Sequence, residues 1–120
     1  MPKITKEVLM AAGCNRVDAW VVEILSDGIA MTSRDIERAS DVELRQPEVS
    51  IGTSKLSEKH FVNVRENEGE GKGRPTKTYS MNAKQFKAFL VWFIESKEKQ
   101  IRQVSGNLDT LRKIAGGIKG

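Results

Sequence analysis

Residues 32–81 read TSRDIERASDVELRQPEVSIGTSKLSEKHFVNVRENEGEGKGRPTKTYSM, and the order of elements in this stretch decides the fold. Thr32 is placed as a helix N-cap, with Asp35 three residues on in an approximate capping box. Ile36 and Ala39 are the expected inward positions of that short helix, and Ser40-Asp41 closes it. Val42 and Leu44 are apolar residues in an otherwise polar turn, so both are expected to pin the turn to the core. Pro47 fits the first turn of a second helix, where its missing N–H costs nothing. Val49, Thr53 and Leu56 form the inward stripe of that helix, which is expected to run to about His60. Phe61–Arg65 and Thr76–Met81 read as strands. Between them, Glu68–Pro75 is a loop with three glycines.

The flanks supply the rest of the core. A short helix is expected over residues 4–12, carrying Ile4, Val8, Leu9 and Ala12 and stopped by Gly13. Asn15 then caps a helix whose Val17, Trp20, Val21, Ile24 and Leu25 recur at i, i+3, i+4, i+7 and i+8. Gly28 suits the left-handed position that ends it, and Ile29–Met31 is an extended link. Beyond Met81, Asn82 caps a long final helix. Its Leu90, Ile94, Ile101, Val104, Leu108, Leu111, Ala115 and Ile118 fall in a 4-3 register broken only by Lys97. A heptad seam of this length implies pairing with a second chain through Leu90, Ile94, Ile101, Val104, Leu108 and Leu111. The alternative is a break at Gly106 that lets the helix fold back on itself. A 4-3 register accommodates either parallel or antiparallel pairing.

Composition narrows the function classes. The net charge of +4 is unevenly placed: residues 1–81 carry 12 Lys+Arg against 13 Asp+Glu, whereas residues 82–120 carry 8 against 3. Overall charge is therefore a weak argument for any polyanionic partner, and local pattern must carry it. One cysteine, Cys14, and one histidine, His60, cannot form a four-ligand zinc site, so no metal and no cofactor is expected. A nucleophile–base–acid set would need a histidine placed for chemistry, and His60 falls at a helix end, so an enzyme is not expected. The glycines of the 68–75 loop lack the Gly-Lys-Ser/Thr order of a phosphate-cradling loop. MPKITKEVLM holds no long apolar run, and no segment approaches the ~20 apolar residues of a membrane span, so a cytoplasmic protein without membrane contact is expected.

The residues from Gln46 to Val62 resemble winged helix-turn-helix transcriptional regulators of the ArsR and MarR type and the archaeal TrmB-like regulators. The resemblance rests on the Gln-Pro-x-Val-Ser opening at Gln46 and on Phe61-Val62, a dozen residues after Val49, and covers roughly residues 16–81. The turn from Ser40 to Arg45 is about two residues longer than the common helix-turn-helix spacing. The resemblance implies a winged helix-turn-helix DNA-binding domain over residues 1–81, and with the heptad seam the expected fold is α+β, mostly α, with a long C-terminal dimerisation helix over 82–120. It also implies that a homodimer binds double-stranded DNA in a sequence-specific way, as a transcriptional regulator.

With such a fold, the helix from Gln46 would enter the major groove. Its outward residues are Gln46, Glu48, Ser50, Ile51, Ser54 and Lys55. Gln pairs bidentately with adenine, Glu accepts from cytosine, Ser is an adaptable donor or acceptor, Ile meets a thymine methyl, and Lys reaches a phosphate. Arg45 adjoins that helix start, and Ser33 and Arg34 open the preceding helix. In the wing, Lys72 and Arg74 sit in a thin loop suited to the minor groove or the backbone, with Lys77 beside it. Two alternatives use the same fold: a non-sequence-specific architectural or chromatin protein, and a protein-interaction module. The operator, the regulated genes, an effector, and activation versus repression are not written in the sequence.

Overall fold

The computed structural model describes residues 4–67 and 76–119. The elements in chain order are α1 (Lys6–Ala11), α2 (Arg16–Leu25), β1 (Met31–Thr32), α3 (Ser33–Ala39), α4 (Gln46–Glu58), β2 (Asn63–Asn67), β3 (Thr76–Ser80) and α5 (Ala83–Gly116). Helices dominate, and the three strands form one antiparallel sheet in the order β1-β3-β2. The fold is the expected winged helix-turn-helix with a long C-terminal helix. Two compact units divide it, one ending at Phe89 and one beginning at Leu90.

In the first unit the core is built around α2. Asn15 accepts from the Asp18 N–H at 2.8 Å and fixes the helix start. Val21, Val22, Leu25 and Ala19 are fully buried and Ile24 nearly so, whereas Val17 and Trp20 are half-buried. The expected stripe is thus wider than drawn, because α1, α3 and α4 all pack on this helix or its neighbours. The Lys6 ammonium lies 4.1 Å from the centre of the Trp20 ring, a cation–π contact that covers the indole.

The helix-turn-helix segment follows the sequence reading with two corrections. Thr32 and Asp35 form a full capping box: the Thr32 hydroxyl accepts from Asp35 N at 3.1 Å and the Asp35 carboxylate accepts from Thr32 N at 3.0 Å. The Thr32 backbone N–H most, and the Thr32 hydroxyl next, favour the ionised acid and hold its pKa below the usual carboxylate value. Ile36 is fully buried, but Ala39 is exposed and Ser40 takes the inward place. A step of four residues stays on one helix face better than a step of three when the helix is this short. In the turn, Leu44 is fully buried as expected, while Val42 is 50% exposed. Asp41 and Val42 both adopt positive φ, at 56° and 61°. The chain reverses through these two residues, and that reversal aims Val42 at solvent.

The end of α4 is a Schellman motif. Phe61 N–H donates to Leu56 O at 3.0 Å and His60 N–H to Ser57 O at 2.9 Å, with His60 at φ 64° in the position that usually holds glycine. Phe61 and Val62 are buried plugs rather than strand residues, and β2 begins two residues later than expected. The Phe61 ring meets Phe89 edge-on at 5.7 Å. The β2–β3 ladder runs from Asn63↔Ser80 to Asn67↔Thr76. The link before Thr32 supplies a third strand, pairing Met31 with Tyr79 and Thr32 with Thr78. Asn82 caps α5 by accepting from Gln85 N at 2.8 Å. Gln85 also donates to the carbonyl of His60 at 3.2 Å and to Asn63 Oδ1 at 2.8 Å, joining the end of α4, the start of β2 and the start of α5.

In the second unit, α5 continues without interruption through Gly106 to Gly116, which removes the fold-back alternative. A Cβ added at Gly106 would meet nothing within 4 Å. Ile94, Ile101, Val104, Leu108, Leu111 and Ile118 are 45–70% exposed.

Candidate nucleic-acid interface

The start of α4 is held by three connections. Arg45 has no acceptor, so only the return half of a capping box forms there: the Glu48 carboxylate accepts from Arg45 N at 3.2 Å. The other Glu48 oxygen pairs with the Arg16 guanidinium, which also donates to the Glu43 carbonyl at 2.9 Å. Gln46 Nε2 donates to the Ser33 carbonyl at 3.3 Å, tying α4 to the first residue of α3. Arg16 thus bridges α2, the turn and α4. Nothing in its local sequence points to this role, because its partners lie 27 and 32 residues away.

These bonds sort the expected contact residues into two groups. Glu48 and Gln46 are half-buried, and both are engaged in holding the helix-turn-helix together. Ser50, Ile51, Ser54 and Lys55 form an exposed patch on the outer face of α4, with Ile51 61% exposed. Arg45 is exposed beside it. Ser33 is half-buried and Arg34 exposed at the start of α3. Opposite the patch, Val49 and Thr53 are fully buried and Leu56 nearly so. The Thr53 hydroxyl is satisfied by Val49 O at 2.8 Å. The expected inward stripe is therefore the observed one, and the remaining face of α4 faces solvent.

Gly52 sets how closely α4 lies on α2. A Cβ there would meet Val17 Cγ1 at 2.8 Å and Val21 Cγ2 at 3.5 Å. Glycine at this point lets the α4 backbone rest on the α2 side chains and fixes the height of Ile51 and Lys55. A shallow cleft of about 280 Å³ runs along this junction, between the first turn of α2 and Ile51, Gly52 and Lys55 of α4. Among the described residues, no group of three His, Cys, Asp or Glu is arranged to hold a metal ion, and no helix is long and apolar enough to cross a membrane.

In the wing, all five residues of β2 are exposed. Lys77 is exposed and is the register partner of Glu66, so its charge is locally offset. Lys72 and Arg74 lie outside the described residues.

No protein-family model and no curated relative matches the sequence. Solved structures do match. A possible transcriptional regulator from Methanosarcina mazei Go1 superposes with a TM-score of 0.58 at 14% identity, over 83% of this chain and 83% of that one. Diamide-treated YodB from B. subtilis gives 0.53 at 15% identity, over 77% of this chain and 85% of its own. A PadR family transcription regulator from hypervirulent Clostridium difficile R20291 gives 0.52 at 16% identity, over 81% and 98%. At such identities the likeness is one of fold and does not single out the ArsR or MarR branch: this chain is built as a winged helix-turn-helix, the fold it shares with these solved structures.

Proposed function

We propose that the protein is a transcriptional regulator that binds double-stranded DNA as a homodimer, with α4 in the major groove and the wing at the minor groove or backbone. Residues 1–81 would carry DNA binding and residues 82–120 self-association. The observation that carries this reading is the outer face of α4. A rigidly seated helix presents Ser50, Ile51, Ser54 and Lys55 together, with no other described element covering them. The patch offers adaptable hydrogen bonding, one apolar contact for a thymine methyl, and one cation for a phosphate. The same fold is found in a possible transcriptional regulator and in a PadR family transcription regulator, which supports the regulatory reading.

The engagement of Gln46 and Glu48 shifts the weight of base reading toward Ser50, Ile51 and Ser54. Gln46 is tied by one amide hydrogen to Ser33, and Glu48 would have to give up its ion pair with Arg16 to reach a base. Arg45, Ser33 and Arg34 are assigned to the phosphates beside the groove, and Lys72, Arg74 and Lys77 to the wing contact.

Duplex titration of single variants tests this division. Ile51→Ala is expected to relax preference at one base pair per half-site, by about 1–3 kcal/mol of discrimination. Lys55→Ala is expected to weaken binding to all sequences and lower the salt slope by about 1 per affected phosphate. Binding that depends on salt but not on sequence would favour the architectural reading. Loss of neither affinity nor preference in both variants would place the reading face elsewhere.

A further inference from the structure

The exposed seam of the second unit carries more than a reason to dimerise. We infer that two copies pair through α5 in antiparallel orientation, with the two-fold axis close to Gly106. The inference rests on the proposed self-association and adds its direction and register.

Lys97 is the one charged residue in the seam. With Ile94 and Ile101 at a positions of the heptad, Lys97 occupies a d position, in line with Val104 and Leu111. In a parallel pair each d residue faces its own copy, so the two Lys97 side chains would share one core layer. Like charges set against each other in this way are unfavourable. An antiparallel pair places a residues opposite d residues instead. With the axis at Gly106, Lys97 faces Ala115 of the second copy, the smallest side chain in the seam, and Ile101 and Val104 face Leu111 and Leu108. The structure already shows where the ammonium goes. Lys97 Nζ donates to Gln100 Oε1 at 3.2 Å and lies 5.6 Å from the centre of the Phe93 ring. Both partners occupy g positions, so the lysine leans to the flank and leaves the space over the alanine open.

The flanking charges point the same way. The e positions are Val91, Glu98, Ser105, Arg112 and Lys119. In an antiparallel pair, e residues meet e residues. About the same axis, Glu98 comes within two residues, about 3 Å along the helix at ~1.5 Å per residue, of being level with Arg112 of the second copy, twice by symmetry, and the two Ser105 residues flank the axis. In a parallel pair e residues meet g residues, and the g positions are Phe93, Gln100, Asn107 and Ile114. That orientation makes no ion pair at all. Among the described residues Arg112 pairs with Asp109, one turn away, at 2.6 Å, and both groups are more than 60% exposed. Arg112 can therefore bind a second carboxylate without desolvation of a buried charge. Glu98 and Arg112 are fourteen residues apart on one straight helix, about 21 Å at ~1.5 Å per residue, so any coupling between them must act between chains.

The experiment is a charge-swap cycle on the full-length protein, read as the dimer Kd by sedimentation. Glu98→Arg and Arg112→Glu are each expected to raise Kd about tenfold, because each creates two repulsive pairs per dimer; the double swap should return within about threefold of the starting protein. A spin label at Glu95→Cys, in a Cys14→Ser background, reports orientation independently. The antiparallel pair separates the two labels by about 33 Å along the axis, at ~1.5 Å per residue, whereas a parallel pair leaves only the width of two helices between them. A dimer with a short label distance and additive charge effects overturns the antiparallel register but leaves the homodimer standing. A chain that stays monomeric at all concentrations overturns both. A dimer with the long distance and the rescuing double swap supports the inference.

Discussion

Replacing Gly52 by alanine tests how the candidate reading helix is seated. Two effects compete. Alanine is better than glycine in a helix interior by about 1 kcal/mol. Its Cβ, however, would lie 2.8 Å from Val17 Cγ1, where ordinary contact begins at 3.4 Å, so the two helices or the valine must move by about 0.6 Å. Val17 is β-branched and stiff at χ1, and an inserted methyl at a tight helix junction costs about 1–3 kcal/mol. The clash outweighs the propensity gain, and Gly52→Ala is expected to destabilise by about 1 kcal/mol, or roughly 4–8 °C in Tm for a unit of this size. In a Val17→Ala background the obstacle is gone, and the same substitution should become stabilising by up to about 1 kcal/mol. Thermal and urea unfolding of the four proteins give the comparison. If Gly52→Ala stabilises equally with and without Val17, the close seating of α4 on α2 is refuted. DNA affinity adds a second reading: at equal folded fraction, the single variant should bind more weakly because Ile51 and Lys55 are displaced.

Three further outcomes follow from the local geometry. Ser40→Ala removes a fully buried hydroxyl that donates to Glu37 O at 2.6 Å and accepts from Leu44 N at 3.1 Å. Leaving the Leu44 N–H without a partner should cost about 1–3 kcal/mol in urea unfolding. His60→Gly relieves a left-handed φ of 64° and should stabilise by about 0.5–1 kcal/mol in the same assay, after the greater freedom of glycine in the unfolded chain is allowed for. Asp35 has its folded pKa depressed by the Thr32 bonds, so its contribution is complete above its unfolded value, near 3.9, and disappears as pH falls through the folded value. An acid titration of stability should therefore lose this component below about pH 4 in the native protein and lack it in Asp35→Asn.

Much of this fold was legible because its signals are local. Capping at Thr32, Asn15 and Asn82, Pro47 in the first turn of α4, and the inward Val49, Thr53 and Leu56 each depend on neighbours within one or two turns. The misplacements share a different cause. β1 is two residues long, too short for alternation to register, and exists only because β3 lies beside it. Phe61 and Val62 look like strand residues in isolation, yet the Schellman turn at His60 directs them into the core and delays β2. Ala39 and Ser40 exchange roles because the turn needs a buried hydroxyl for Leu44. At the candidate interface the residue types were readable, but their duties were not. Glu48 and Gln46 serve the packing of α4 through Arg16 and Ser33, partners far away in sequence.

The proposed reading of DNA sequence by the outer face of α4 makes a quantitative demand. Its most direct test is the ratio of two affinities at one stated salt concentration. One is for a duplex enriched by the protein from random DNA; the other is for a scrambled duplex of equal length and composition. Sequence reading predicts a ratio of about 10³ or more, reduced markedly by Ile51→Ala with the Lys55 salt dependence intact. A ratio near one, or no binding even at low salt, would contradict it.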